Sequence, residues 1–161
     1  MQNNNKSYRI VIIEPSMIIS TGLRKLIEIR HGFEVVASLA DCYHCVEKIN
    51  HLEPDIIIIN PSTVEPKRRQ HLEELFEGMR NAALVALVYQ YIEPEVLKQY
   101  HTVIDISDDS EKIAQKLLQS LDALNAPSDA ADKNELAKAD IETKLTENKI
   151  NTINGKKYAV G

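Results

Sequence analysis

The run Asp55-Ile-Ile-Ile-Ile-Asn60 limits the fold more than any other stretch of this chain. Four consecutive β-branched apolar residues, bounded by polar side chains and preceded by Pro54, are too few for a helix and apolar on both sides of a strand. A strand buried on both faces belongs in a parallel sheet covered by helices, because a sheet with one wet face alternates apolar with polar side chains. Other runs fit the same sheet. Tyr8-Arg-Ile-Val-Ile-Ile13, Phe33-Glu-Val-Val-Ala-Ser38, Ala83-Leu-Val-Ala-Leu-Val88 and Val103-Ile-Asp-Ile106 each read as strands.

Helical patterns separate these runs. From Ser16 to Glu28, apolar residues at 18, 19, 23, 26 and 27 predict one face of a helix. Asp41 fits the N-cap of a helix through about Leu52, with Cys45, Val46 and Ile49 facing inward. Further helices are expected from roughly Lys67 to Arg80, from Pro94 to Tyr100, and from Ser110 to Leu124, the last with Ile113, Leu117, Leu118 and Leu121 on one stripe. Five strands alternating with five helices define an α/β domain over residues 8–124. Right-handed crossovers would set helices on both faces of its sheet.

Composition narrows the function classes. Hydrophobic residues make up 43% and charged residues 27% of the 161, enough for a core of this kind. The formal net charge of −5 argues against nucleic acid as the main partner of residues 1–161, since that binding rests on Lys and Arg. No run approaches the ~18 apolar residues that span a bilayer. The polar start Met1-Gln-Asn-Asn-Asn-Lys-Ser7 lacks the apolar stretch of a secretion signal, so a cytoplasmic location without membrane contact is expected. Two cysteines are too few for a disulfide framework. Residues 125–161 read as a linker and a poorly structured tail, weakly helical at most over 134–145. After Pro127 the tail carries six acidic and six basic residues, so it is neutral.

The order of elements, together with Gly22-Leu-Arg-Lys-Leu-Ile27 and Glu53-Pro-Asp-Ile-Ile-Ile-Ile59, resembles the CheY-like receiver domain of bacterial response regulators. The subgroup it resembles most is the LuxR/NarL type, which precedes a helix-turn-helix. The resemblance covers residues 8–124. It implies a flavodoxin-like (βα)5 doubly wound parallel sheet of strand order 2-1-3-4-5, with any site at the C-terminal ends of the strands. It also implies a chemistry. Receivers take a phosphoryl group onto an aspartate after the third strand, with two acidic residues after the first strand holding Mg²⁺. A hydroxyl after the fourth strand and a lysine after the fifth serve the phosphoryl oxygens.

Carried across by position, these roles meet the wrong residues. The phospho-acceptor position falls on Asn60, whose amide is a poor nucleophile and a weak magnesium ligand. The acidic pair falls on Glu14 and Pro15, of which only Glu14 is acidic. The hydroxyl position falls on Val88, or on Tyr89 one residue later, and the lysine position on Ile106, or on Asp105 one residue earlier. The resemblance therefore implies a degenerate phospho-acceptor pocket, no catalytic residue, and Mg²⁺ binding that is lost or weak. Glu14 and Asn60 are read first as polar remnants bonded to loop backbone. A cation or small-ligand site without chemistry, or an altered variant of an active receiver, are the other readings.

Three further groups carry candidate functions. Cys42-Tyr-His-Cys45 places two thiols one helical turn apart, open to redox or zinc chemistry. No second pair completes a four-ligand set, and Cys45 fits an inward apolar position, so core packing is the preferred reading. Lys67-Arg-Arg-Gln-His71 is the densest basic cluster, read as a solvated helix face with pairs such as Arg69 to Glu73, or as a contact for an acidic partner. Tyr89, Tyr91, Leu97, Tyr100 and His101 gather near the fourth helix, in a chain with six Tyr and two Phe. Either they form an interface, where aromatic residues are enriched, or they cover a helix about one turn shorter than the resemblance implies.

The leading expectation is a pseudo-receiver: a non-enzymatic signalling module that cannot be phosphorylated and acts through a protein partner or a homodimer. A LuxR-type DNA-binding transcriptional regulator is the second reading, although it needs about 60 further residues and Ser128–Gly161 supplies 34. An active phosphorelay regulator is the third.

Overall fold

The structure, a computed structural model, describes residues 6–43, 46–69, 72 and 81–126. The chain divides into two units, Met1–Asn125 and Ala126–Gly161. The helix expected over 134–145 lies outside the described residues.

The first unit runs β1 (Tyr8–Ile13), α1 (Met17–Glu28), β2 (Phe33–Leu39), α2 (Val46–Leu52), β3 (Ile56–Ile59), a 3₁₀ turn (Pro61–Thr63), α3 (Pro66–Arg69), β4 (Ala83–Val88), α4 (Pro94–Leu97), β5 (Thr102–Asp105) and α5 (Ser110–Asn125). The five strands form one sheet in the order β2-β1-β3-β4-β5. Every neighbouring pair is parallel. This is the flavodoxin-like (βα)5 architecture of receivers.

Strand pleat sorts the side chains into two layers. Val11, Ile13, Ile57, Ile59 and Ala86 face one side, where Ile49 of α2, Val96 of α4 and Leu72 cover them. Ile10, Ile12, Ile56, Ile58, Val85 and Leu87 face the other, under Leu23 and Ile27 of α1 and Ile113, Leu117 and Leu121 of α5. All four isoleucines of β3 are fully buried, which is why that run contains no polar residue. Asp55 ties the lower edge together. Its carboxylate accepts from the Arg9 amide at 2.8 Å, its own amide donates to Arg9, and its carbonyl accepts from Ala83.

Several expected boundaries shift. Ile18 is not on the inner face of α1 but 87% exposed. At 3.6 residues per turn it lies about 140° from Leu23 and about 180° from Ile27, so burying those two turns it outward. Leu118, one residue past the buried Leu117, is likewise 47% exposed. The Asp41 carboxylate accepts from the Tyr43 amide at 3.0 Å in an Asx turn, α2 runs from Val46, and residues 44 and 45 between them lie outside the described residues. β5 starts one residue early and ends at Asp105, leaving Ile106 outside the strand and 55% exposed. α4 ends at Leu97 and gives way to tighter i→i−3 bonds from Gln99 and Tyr100. Of the third expected helix, Lys67–Arg80, most lies outside the described residues.

Candidate functional site

Because β1, β3 and β4 are neighbours in register, the residues just past their C-terminal ends come together. These are Glu14, Asn60 and Tyr89. Glu14 is 3% exposed and Asn60 2%. Backbone bonds seat both: the Glu14 amide donates to Leu39 at 2.9 Å, and the Asn60 amide to Ile13 at 3.0 Å.

The three side chains close on one another. The Asn60 Nδ2 group donates to Glu14 Oε2 at 2.9 Å and to the Tyr89 hydroxyl at 2.8 Å. That hydroxyl donates in turn to Glu14 Oε1 at 2.9 Å. A third donor, the Ser16 amide, reaches the same Oε1 at 2.9 Å. Asn60 Oδ1 accepts from the Ser62 amide at 3.0 Å and from its hydroxyl at 2.7 Å. Those two donors fix the amide's orientation, since only oxygen can face Ser62 and only nitrogen can then face Glu14.

Local sequence explains the seating. Asn60-Pro-Ser-Thr63 builds an Asx-capped 3₁₀ turn, in which Pro61 sits where an amide hydrogen would have no partner and the Thr63 hydroxyl donates to the Asn60 carbonyl at 2.7 Å. Ser16 caps the twelve-residue α1 by accepting from the Ile19 amide, and its own amide donates to Glu14. Burial, and then the Glu14 carboxylate, hold the Tyr89 phenol above its ordinary pKa. It stays a neutral donor beside an anion.

The residues carried over from the resemblance fall into two groups. Glu14 and Asn60 meet directly, and Tyr89 joins them. Val88 points to the other side of the sheet and packs in its core, as pleat alternation requires. Pro15 is exposed, and its side chain brings no ligand atom. Ile106 is exposed, and Asp105 folds back on its own loop, accepting from the Ser107 hydroxyl at 2.5 Å and the Ser107 amide at 2.9 Å. Those bonds hold its carboxyl below the usual range. Lys116 of α5 pairs with Asp108.

Mg²⁺ does not fit this arrangement. A hard cation needs several free oxygens, yet the face of Asn60 turned to Glu14 is the donor Nδ2, and both Glu14 oxygens already accept hydrogen bonds. Among the described residues no group of three or more His, Cys, Asp or Glu side chains is placed to hold a metal. Sequence reasoning missed Ser16 and Ser62. The Asn-Pro-Ser-Thr turn signature was the available clue to Ser62.

The candidate interface separates as well. Tyr100 is 4% exposed and belongs to the core, with Leu97 packed against the same layer. His101 stitches β4, its Nδ1 accepting from the Leu84 amide at 2.9 Å and its amide donating to the Leu84 carbonyl at 2.8 Å. Tyr91 is 74% exposed. Cys42 is fully buried in the core, and Cys45 lies outside the described residues. In the basic cluster the Arg68 guanidinium lies 5.3 Å from the centroid of the Tyr43 ring, and the Arg69–Glu73 pair lies outside the described residues. No described helix is long and apolar enough to cross a membrane.

No protein-family model matches the sequence, and no curated protein sequence does. Solved structures do match the fold. A two-component response regulator of the LuxR family from Aurantimonas sp. SI85-9A1 has a TM-score of 0.60 at 20% identity, over 83% of this chain and 99% of that one. The receiver domain of the response regulator NarL from Mycobacterium tuberculosis has 0.56 at 14%, over 76% and 99%. A receiver domain of a modulated diguanylate cyclase from Desulfovibrio desulfuricans G20 has 0.60 at 12%, over 74% and 97%. The chain thus has the receiver fold.

Proposed function

We propose that this chain is a pseudo-receiver: a signalling module that accepts no phosphoryl group and acts, without catalysis, by binding a protein partner or a second copy of itself. One observation carries the reading. At the position where a receiver presents its aspartate stands Asn60, and its amide nitrogen is spent on Glu14 and Tyr89. An amide nitrogen turned toward a carboxylate offers neither the nucleophile nor the metal ligand that phosphoryl transfer needs. Asp105 and Ile106 supply no cation where the fifth-strand lysine would stand. The exposed apolar side chains Met17, Ile18, Tyr91 and Ile106 follow the C-terminal ends of β1, β4 and β5, and they support a binding role.

Incubation with a small phosphodonor and Mg²⁺, followed by intact mass, tests the proposal. The expected spectrum shows no added phosphate; a stoichiometric adduct that disappears in Asn60→Ala would overturn the reading. The LuxR-family names of the solved structures favour DNA binding as a second reading. It calls for salt-dependent association with duplex DNA.

A further inference from the structure

The segment between β4 and α4 is tethered by side chains rather than by backbone. No backbone hydrogen bond joins residues 89–92 to another described residue. Ile92 is 7% exposed and packs in the layer under α2 and α4. Tyr89 packs its ring against the opposite layer, under α1 and α5, and places its hydroxyl between Glu14 and Asn60. Tyr91 stands between these two anchors, 74% exposed.

We infer that Tyr89 is a latch: its hydroxyl, held by Glu14 and Asn60, fixes the β4–α4 segment and thereby the presentation of Tyr91 at the surface. The inference rests on the reading of the site as closed and unphosphorylated, and it adds what the closed site does. One hydroxyl gives its proton to Glu14 Oε1 and takes one from Asn60 Nδ2, so it is satisfied on both sides. A group that claims Glu14 or Asn60 must displace it. The ring would then keep only its apolar packing, and the segment would lose the polar one of its two anchors. The site and the exposed tyrosine are in this way parts of one device, and Tyr89 acts as its positioning residue.

Backbone amide relaxation on the full chain, read by NMR at residues 86–98, tests the latch. Tyr89→Phe keeps the ring and removes the hydroxyl. Order parameters over residues 89–93 are expected to fall from the rigid range of about 0.85 toward about 0.6, where backbone counts as flexible. Tyr43→Phe removes a hydroxyl bond in another loop, where the Tyr43 hydroxyl accepts from the Glu65 amide, and should leave residues 89–93 unchanged. Glu14→Gln should lower the same order parameters, and it takes over the test should Tyr89→Phe fail to fold. The double variant should add little to either single one, because both cut the same tether. Unchanged order parameters at 89–93, an equal fall across the whole chain, or fully additive effects would each overturn the latch. These outcomes leave the pseudo-receiver reading standing, whereas a phosphoryl adduct that disappears in Asn60→Ala overturns that reading whatever relaxation shows.

Discussion

At the scale of single residues, Asn60 decides what the site can do, and the decision lies in one nitrogen. Its Nδ2 group stands 2.9 Å from a carboxylate oxygen of Glu14. Asn60→Asp would put an oxygen there instead. Two carboxylates at that distance cannot both stay ionised, so one of them holds a proton and its pKa rises. A carboxyl with a raised folded pKa contributes stability that is present below its unfolded value, near 4, and lost as pH rises through the folded value. Asn60→Asp should therefore match the parent closely at acid pH and fall behind it toward neutrality, by about 1.4 kcal/mol for each unit the pKa is raised. Urea midpoints of both proteins from pH 4 to 8 measure this. A difference that stays flat with pH would mean that the new carboxylate has swung away from Glu14.

At the scale of elements, helix α1 shows where packing leaves room. Gly22 sits on its exposed side, and a Cβ added there meets nothing within 4 Å. Gly22→Ala should stabilise the domain by about 0.5–1 kcal/mol in urea unfolding, because alanine loses less backbone entropy in a helix and here meets no clash. The same helix shows how far sequence pattern reaches. β3 was legible because all four of its side chains are apolar, so no choice of face arises. In α1, by contrast, Ile18 and Ile19 are equally apolar, and only the position of Leu23 and Ile27 against the sheet decides that Ile18 faces out. β5 slipped by one residue for a related reason. Thr102-Val-Ile-Asp-Ile106 can begin or end at either end, and the last ladder bond, from the Ile106 amide to Val88, is a tertiary fact. The site was legible as a set of positions, Glu14 and Asn60 among them. Its closure was not, because the bond joining Tyr89 to Glu14 spans 75 residues and depends on which way β4 turns Val88.

At the scale of the whole molecule, the aromatic residues near α4 divide between core and surface, and that division gives a test of where a partner binds. Tyr100 is buried among the strands' apolar side chains, whereas Tyr91, nine positions earlier, is 74% exposed. Truncating a buried aromatic leaves a cavity, so Tyr100→Ala should cost about 3–5 kcal/mol of stability, whatever the protein binds. Truncating an exposed one removes few contacts within the fold, so Tyr91→Ala should stay within about 0.5 kcal/mol of the parent. If the tyrosine serves an interface, Tyr91→Ala should nonetheless weaken association, seen as a fall in weight-average mass by light scattering or in partner capture. The pairing of results matters more than either alone. Loss of association in Tyr100→Ala follows from unfolding and says nothing about the surface, while loss in a fully stable Tyr91→Ala can come only from the face it presents. Unchanged association in Tyr91→Ala would move the binding surface to the most exposed apolar pair among the described residues, Met17 and Ile18 at the head of α1. A Met17→Ser, Ile18→Ser double variant would then be the one to lose its partner, because those side chains are 82% and 87% exposed and hold no core together.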